Sequence, residues 1–289
     1  MRRRSFVSAV RSACHSLRVP LVVLVPFGIA GCAATAPREA AEFHGSPVVA
    51  ALTAVDDGAG LDLRLARATR NAGDLDSAAN LYREAMARNP GNPQIAIELG
   101  DVLIDSGQPE QAIDLLGGVS GDKGRPDISI RAERGIGRAY LVMQDAQAAL
   151  VHFILARDKA PQDPHSLVDC GVALDLLRRH AEAQESYRAA LHGAPRDTGA
   201  RNDLALSLAL TQQYDAALEI IVPIARSASA TPQIRQNLAL IYGLKGDGNA
   251  ADALSRVDLD AAATSSNVKL FSALREGLAG SGPANGSVR

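Results

Sequence analysis

The sequence has no tryptophan, and aromatic residues make up only 3% of its 289 residues. Large aromatic side chains therefore supply little of any hydrophobic core. Hydrophobic residues still account for 47% of the chain, and most of them are alanine, leucine, isoleucine and valine. This composition favours helices that pack closely through small aliphatic side chains. A repeat protein suits it, since each repeat is buried by its neighbours and no single large core is needed.

The chain also lacks an excess of positive charge. It has 30 basic and 32 acidic residues, and its first 31 residues contain five arginines and no acid. Without that leader the remainder has 25 basic and 32 acidic residues, a net charge of −7. A nucleic-acid-binding domain usually shows a basic excess. We therefore expect no nucleic-acid partner.

Motifs for catalysis or cofactor binding are missing as well. The sequence contains no Gly-x-Ser-x-Gly, no P-loop, no His-Glu-x-x-His and no Cys-x-x-Cys. The glycine cluster at 243–248 lacks the Ser or Thr of a P-loop and fits a helix turn better. His165, His180 and His192 fall on different predicted helices, which favours surface positions over a metal site. We expect no enzyme activity, no cofactor and no metal.

The three cysteines form no convincing disulfide pair. Cys14 lies in the leader, and Cys170 is expected to be a small apolar filler in a buried position. Cys32 directly follows an apolar run, Val19 to Gly31, that is too short to span a membrane. Residues 1–31 are therefore predicted to be a secretory signal peptide.

The end of this leader, Ile29-Ala30-Gly31-Cys32, resembles the lipobox of bacterial lipoproteins. The resemblance implies cleavage before Cys32 and lipidation of its thiol; a secretory signal with a chance cysteine is the alternative. Two or three acyl chains hold a protein durably on a membrane. Ala33 stands where an Asp would imply retention at the inner membrane, so we expect an outer-membrane anchor with the body facing the periplasm. Residues 32–58, rich in Gly, Pro and Ala, are predicted to be a flexible tether, although 48–55 is apolar enough to form a short capping helix.

Residues 130–163 predict two amphipathic helices joined by a tight turn, with the spacing of a tetratricopeptide repeat. Small residues recur around it at intervals of 34, 37, 34, 34 and 34 residues. This column, numbered 20 within the repeat, comprises Ala78, Ala112, Ala149, Ala183, Ala217 and Ala251. Column 8 is also small throughout: Ala66, Gly100, Gly137, Gly171, Ala205 and Ala239. Together with columns 7 and 24, these columns predict an all-α solenoid of about six helix-turn-helix repeats.

The predicted repeats span 59–92, 93–126, 130–163, 164–197, 198–231 and 232–265. Residues 117–129, with four glycines and Pro126, are predicted to be a loop. The loop is either a tolerated insertion or a hinge or partner contact. Ser255 and Asp258 make the sixth repeat irregular, as expected of a terminal repeat. A capping helix at 266–280 and a disordered tail at 281–289 complete the prediction.

The first helices of the repeats should line a concave binding surface. Candidate groove residues are Arg131, Arg134, Arg138, Asp169, Asn202, Asp203, Gln236 and Asn237. The three arginines share one helix face and either bind an acidic partner or form a solvated ridge paired with Asp101 or Asp169. Asn202 and Asn237 either clamp a peptide main chain or satisfy neighbouring backbone.

The stretch Arg235 to Glu276, with its Asn-Leu-Ala-Leu helix, the acidic segment around Asp258-Leu259 and the helix containing Asn267, resembles the TadD-type lipoproteins of the tight-adherence (Tad/Flp) pilus system. That resemblance implies a pilus-assembly role, with pilotin-like support of the outer-membrane secretin. Two alternatives stay open. One is a generic periplasmic scaffold for envelope or outer-membrane-protein assembly. The other is an accessory subunit of a cell-envelope enzyme complex, such as one that synthesises a glycan.

Overall fold

The computed structural model describes residues 58–280, and every regular element in that range is an α-helix. The predicted signal peptide, Cys32, nearly all of the predicted tether and the predicted tail lie outside it. The helices are α1 (Gly58–Asn71), α2 (Leu75–Arg88), α3 (Pro93–Asp105), α4 (Pro109–Ser120), α5 (Pro126–Val142), α6 (Ala146–Lys159), α7 (Pro164–Leu176), α8 (His180–Gly193), α9 (Thr198–Leu210), α10 (Tyr214–Ala225), α11 (Pro232–Lys245), α12 (Gly248–Asp258) and α13 (Ala261–Gly280).

Several helix starts follow from capping residues. The side chains of Asp74, Asp145 and Asp247 accept hydrogen bonds from backbone amides three residues later and begin α2, α6 and α12. Among the first helices, α3, α7 and α11 have an Asn, Asp or Thr cap followed directly by proline. Proline suits the first helical position because its missing N–H would have no partner there.

Each turn inside a repeat contains one residue with a left-handed backbone. These residues recur at the repeat spacing and have φ between 62° and 101°: Gly73, Gly107, Gln144, Arg178, Gln212 and Gly246. Three are glycines, which adopt this conformation without steric cost. The turn geometry is therefore the same in all six repeats even where the sequence lacks glycine.

Small and large side chains lock each helix pair together. The alanines of column 20 are all at most 1% exposed. In column 8, a Cβ added to Gly100 would lie 2.7 Å from Leu116, and one added to Gly171 would lie 2.5 Å from Tyr187. The column 24 side chain therefore sits directly on the column 8 glycine. This contact explains why a small residue must recur at that position.

The first helices of successive repeats from α3 to α11 contact one another, whereas the second helices chiefly contact first helices. The row of first helices is therefore the inner face of the curved stack. α13 packs on α11 and α12, and Phe271 lies against Gly243. This all-α repeat solenoid with a C-terminal helix on its last repeat is the fold that the sequence predicts.

Two details differ from the predicted boundaries. The loop predicted at 117–129 comprises only residues 121–125, because α4 continues to Ser120 and α5 starts at Pro126. Nothing lies within 4 Å of a Cβ at Gly117 or Gly118, so these glycines occupy the open side of α4 without ending it. The insertion lengthens α5 to 17 residues. Similarly, α13 begins at Ala261 rather than 266, since the Asp260 side chain accepts the Ala263 amide at 2.8 Å.

Candidate functional site

Polar side chains on the inner face bond from each first helix to the next. The connections join α1 to α3 through Arg67–Glu98, α3 to α5 through Arg138–Asp101, and α5 to α7 through Arg134–Asp169. Ser207–Asp175 joins α7 to α9, Asn237–Asn202 joins α9 to α11, and Asn267–Gln236 joins α11 to α13. A polar contact thus joins each first helix to the next, and the two halves of the inner face differ in character.

Glu98 organises the N-terminal half. Its carboxylate accepts two hydrogen bonds from Arg67, at 2.7 and 2.6 Å, one from Gln94 at 2.7 Å and one from the buried Tyr82 hydroxyl at 3.1 Å. Burial disfavours the charged carboxylate, but these hydrogen bonds outweigh it and hold the pKa of Glu98 below its ordinary value. Burial and the nearby Glu98 charge raise the pKa of Tyr82 to about 12.

The three predicted groove arginines already have partners within the chain. Arg131 donates to Gln94 at 2.5 Å, Arg134 donates to Asp169 at 2.6 Å, and Arg138 donates to Asp101 at 2.9 Å. This is the pairing with Asp101 and Asp169 that the ridge interpretation describes. Binding of an acidic partner by these arginines would have to compete with the existing bonds.

Asp169, Asp175 and Asp203 lie near one another on the C-terminal half. Asp175 accepts from the Ser207 hydroxyl at 2.8 Å and from the Tyr187 hydroxyl at 3.1 Å, and its Oδ1 lies 2.8 Å from His180 Nδ1. Burial outweighs Arg134 and raises the pKa of Asp169. Burial, with added repulsion from Asp197, Asp175 and Asp169, also raises the pKa of Asp203 to about 6.

The predicted asparagines bond to side chains rather than to backbone. Asn237 Nδ2 donates to Asn202 Oδ1 at 2.8 Å, and Asn202 Nδ2 donates to Asp203 Oδ1 at 3.1 Å. Gln236 donates to Asp258 at 3.4 Å and accepts from Asn267 at 3.3 Å. All eight predicted groove residues lie on first helices, in two groups, and Asn202, Gln236 and Asn237 are buried. Arg131, Arg134, Arg138 and Asp169 form one group, and Asn202, Asp203, Gln236 and Asn237 form the other.

Two central residues were not among the predicted ones. Glu98 is at column 6 of the second repeat, whereas the eight predicted groove residues all belong to the third to sixth repeats. The period alone could have found it, since Asp169, Asp203 and Asn237 occupy the same column in later repeats. Asp175 is at column 12, one helical turn beyond Arg138, whose column 9 is the last that a predicted groove residue occupies. No sequence signal distinguishes it from an exposed acid at a helix end.

Other kinds of site find little support in the part of the chain that the structure describes. Burial raises the pKa of the Cys170 thiol to about 11, which keeps it protonated and unreactive at neutral pH. Within residues 58–280, no cluster of three or more His, Cys, Asp or Glu side chains could hold a metal ion. Over the same residues, no helix combines the length and apolar character that crossing a membrane requires.

Comparison with known proteins identifies the repeat type. Residues 70–129 and 171–222 match family models described as tetratricopeptide repeat. These two stretches are tetratricopeptide repeats, and the fold is a tetratricopeptide-repeat solenoid. Solved structures of the same architecture include a tetratricopeptide-repeat protein from Parabacteroides merdae, with a TM-score of 0.60, 14% identity, and 78% of this chain and 88% of that one covered. A Pseudomonas aeruginosa protein, pilF, gives a TM-score of 0.57 at 14% identity and covers 74% of this chain and 96% of that one. At such identities the likeness shows the fold alone.

A curated relative matches a shorter stretch. "Cellulose synthase operon protein C" of Pseudomonas fluorescens is 35% identical over 95 residues, which is 31% of this repeat protein. The match spans only 7% of the length of that relative. The likeness therefore concerns a few repeats.

Proposed function

We propose that this protein is a lipid-anchored, non-enzymatic scaffold that binds protein partners during assembly of a Flp/Tad-type pilus, with pilotin-like support of the outer-membrane secretin. Tetratricopeptide repeats typically mediate protein–protein interactions, and the inner face described above supplies the extended surface that such binding uses. The observation that carries the pilus assignment is the resemblance of Arg235 to Glu276 to the TadD-type lipoproteins.

The residues that carry this resemblance have a defined place in the fold. The guanidinium of Arg235 on α11 donates to both carboxylate oxygens of Asp258 at the end of α12. Phe271 of α13 packs on Gly243 of α11. The stretch thus forms the closed C-terminal end of the solenoid. In our proposal Cys32 holds this body at the outer membrane, with the repeats in the periplasm.

The proposal is tested by deleting the gene in its native host and following the pilus secretin in membrane fractions and as a heat-resistant multimer. We expect loss of the outer-membrane multimer and of surface pili, both restored by the intact gene. A normal multimer with normal pili would contradict the pilus role.

Anchoring has its own test in the same strain. The Cys32→Ser variant should appear in the soluble fraction, because without acyl chains nothing in the proposal holds the body to the membrane. Cys170→Ser is the matched control and should stay with the membrane. A Cys32→Ser protein that remains membrane-bound would contradict lipidation while leaving the scaffold role intact.

The 35% identity to a cellulose synthase operon protein favours one second candidate, an accessory subunit of a glycan-synthesising envelope complex. Co-purification of a glycosyltransferase activity with the membrane-anchored protein, lost on deletion of the repeats, would support it. Intact envelope polysaccharide in the deletion strain, together with loss of the secretin multimer, would exclude it.

A further inference from the structure

Two neighbouring inner helices present the same three-residue stripe. On α7 the stripe is Asp169, Val172 and Leu176, and on α9 it is Asp203, Leu206 and Leu210. In each, the residues are three and then four positions apart, which places them on one helix face. The two stripes are offset by one repeat of 34 residues and therefore lie side by side on the inner face.

The apolar part of these stripes is accessible. Leu176 is 45% exposed, and Val172, Leu206 and Leu210 are half-buried. Leu240, at the position of Leu206 in the next repeat, is half-buried too and extends the row onto α11. The C-terminal half of the inner face thus carries an apolar row beside its polar side chains, with a carboxylate at one end of each stripe.

The two carboxylates differ in their ion-pair partners. Asp169 is paired with Arg134 at 2.6 Å. Asp203 has no Lys, Arg or His within ion-pairing distance among residues 58–280, and its one hydrogen bond there is the amide of Asn202 on Oδ1. A carboxylate can accept about four hydrogen bonds, so Asp203 keeps most of its capacity for a donor from outside.

We propose that the groove formed by the Asp169 and Asp203 stripes binds a partner segment in which a lysine or arginine is flanked by apolar side chains, with the cation on Asp203. This deepens the scaffold function proposed above and rests on it for its biological setting. The apolar row receives the flanking side chains, and charge complementarity selects the cation. The partner is thus the opposite of the acidic segment that Arg131, Arg134 and Arg138 suggest from sequence alone.

The acidic neighbours of Asp203 support the same sign of partner. Asp197, Asp175 and Asp169 all disfavour its negative charge, and burial does so more strongly, so its pKa is raised to about 6. It is nevertheless mostly ionised at pH 7.5. A bound cation would relieve the repulsion and replace lost hydration with a charge-assisted hydrogen bond.

The test uses the purified full chain and three soluble ten-residue peptides that differ at one position. Each carries two leucines spaced to match Leu206 and Leu210, with Arg, Gln or Glu as the variable residue. At pH 7.5 and low salt, calorimetry should show binding of the Arg peptide, with the Gln peptide about tenfold weaker or more, as expected for loss of a charge-assisted bond. The Glu peptide should be weaker still.

Asp203→Asn should lower the affinity for the Arg peptide to that for the Gln peptide and leave the affinity for the Gln peptide unchanged. A merely structural effect would not give this coupling. Leu206→Ser should lower the affinity for all three peptides. Asp114→Asn, an exposed carboxylate on the second helix α4, is the charge control and should change nothing. Thermal melting of each variant establishes that it is folded.

The proposal is overturned if the Glu peptide binds most tightly, if Asp203→Asn binds the Arg peptide as well as the native chain does, or if no peptide binds at millimolar concentration. The peptide titration and the secretin multimer in the deletion strain are separate measurements, so failure of the peptide test would not itself contradict the pilus role. Conversely, a normal multimer in the deletion strain would leave the groove's preference for cations standing.

Discussion

At the scale of single residues, the contact between column 8 and column 24 sets the spacing of each helix pair. Gly171 faces the ring of Tyr187, which is buried and whose hydroxyl is bonded to Asp175. The ring therefore cannot swing away. We expect Gly171→Ala to lower the free energy of unfolding by about 1–3 kcal/mol, the usual cost of overpacking a tight contact. Urea denaturation with an unchanged slope would measure this.

A second glycine provides the control. Gly117 lies in α4 on an exposed face with nothing within 4 Å of an added Cβ. Gly117→Ala should stabilise the protein by about 0.5–1 kcal/mol, since alanine is the better helix former. Equal effects of the two substitutions would mean that packing does not explain the small residue at column 8.

The raised pKa of Asp203 has a consequence for stability. The folded chain holds this proton up to about pH 6, whereas the carboxyl has an ordinary pKa of 3.8. Between these values the folded state binds more protons, so stability falls as pH rises through this window and stays lower above it. Asp203→Asn should therefore stabilise the protein at pH 8 by about 1–3 kcal/mol and lose that advantage near pH 4.

Urea midpoints at pH 8, 6 and 4 would test this. Asp114→Asn should show no such pH dependence, because that carboxylate is exposed. A stabilisation by Asp203→Asn that is the same at pH 4 and pH 8 would point to packing rather than ionisation.

At the scale of elements, the turns inside the repeats show where local sequence and fold disagree. Gln144 has φ of 63° in the turn between α5 and α6, a conformation that disfavours residues with a Cβ. The same turn contains glycine in the first, second and sixth repeats. The fold therefore imposes this geometry on three turns whose sequence does not favour it.

Gln144→Gly should consequently stabilise the protein by about 0.5–1 kcal/mol, after allowance for the greater freedom of glycine in the unfolded chain. Gln147→Gly, three residues later in α6, replaces the same exposed residue type where the backbone is right-handed and helical. It should destabilise by about 1 kcal/mol. Thermal melting of both variants distinguishes them, and a loss of stability in Gln144→Gly would contradict the strain argument.

Element boundaries were the least predictable part of the fold. The glycines at 117 and 118 suggested a loop, but a helix tolerates glycine where neighbouring contacts hold it. The end of α4 is held from outside: the Ser129 hydroxyl and Lys159 Nζ both donate to the Ser120 carbonyl. Such contacts, which reach across to the next repeat, cannot be read from the local sequence.

At the scale of the whole molecule, the period of 34 residues was sufficient to predict the solenoid, because small residues are required wherever two helices cross closely. The polar network was only partly predictable. Its pairs are about one repeat apart, 35 residues for Arg134–Asp169 and 37 for Arg138–Asp101. Which arginine meets which carboxylate depends on the three-residue insertion and the exact helix orientation. That Asp203 has no ion-pair partner among residues 58–280 emerges only from the folded arrangement of the helices.

The hydrophobic core is divided into two large clusters, and Tyr140 is where they meet. One cluster runs through α1 to α5 and the other through α6 to α11, and the half-buried Tyr140 packs against both. Its ring also stacks on His152, with centroids 5.4 Å apart. Since a solenoid is stabilised by nearest-neighbour contacts, this junction should control whether the two halves unfold together.

Tyr140→Ala should therefore separate the two halves. In the native chain, we expect the exchange rates of the α3 and α9 amides to depend on urea in the same way. In the variant, the amides of one half should exchange at a lower urea concentration than those of the other. Tyr214→Ala, at a half-buried tyrosine that packs against the second cluster, is the control. It should lower the urea concentration at which the α3 and α9 amides exchange by the same amount in both halves. If the two halves of Tyr140→Ala still open at the same urea concentration, the coupling is carried instead by other contacts across the junction, such as Phe153 on Gly137 and the Arg134–Asp169 ion pair.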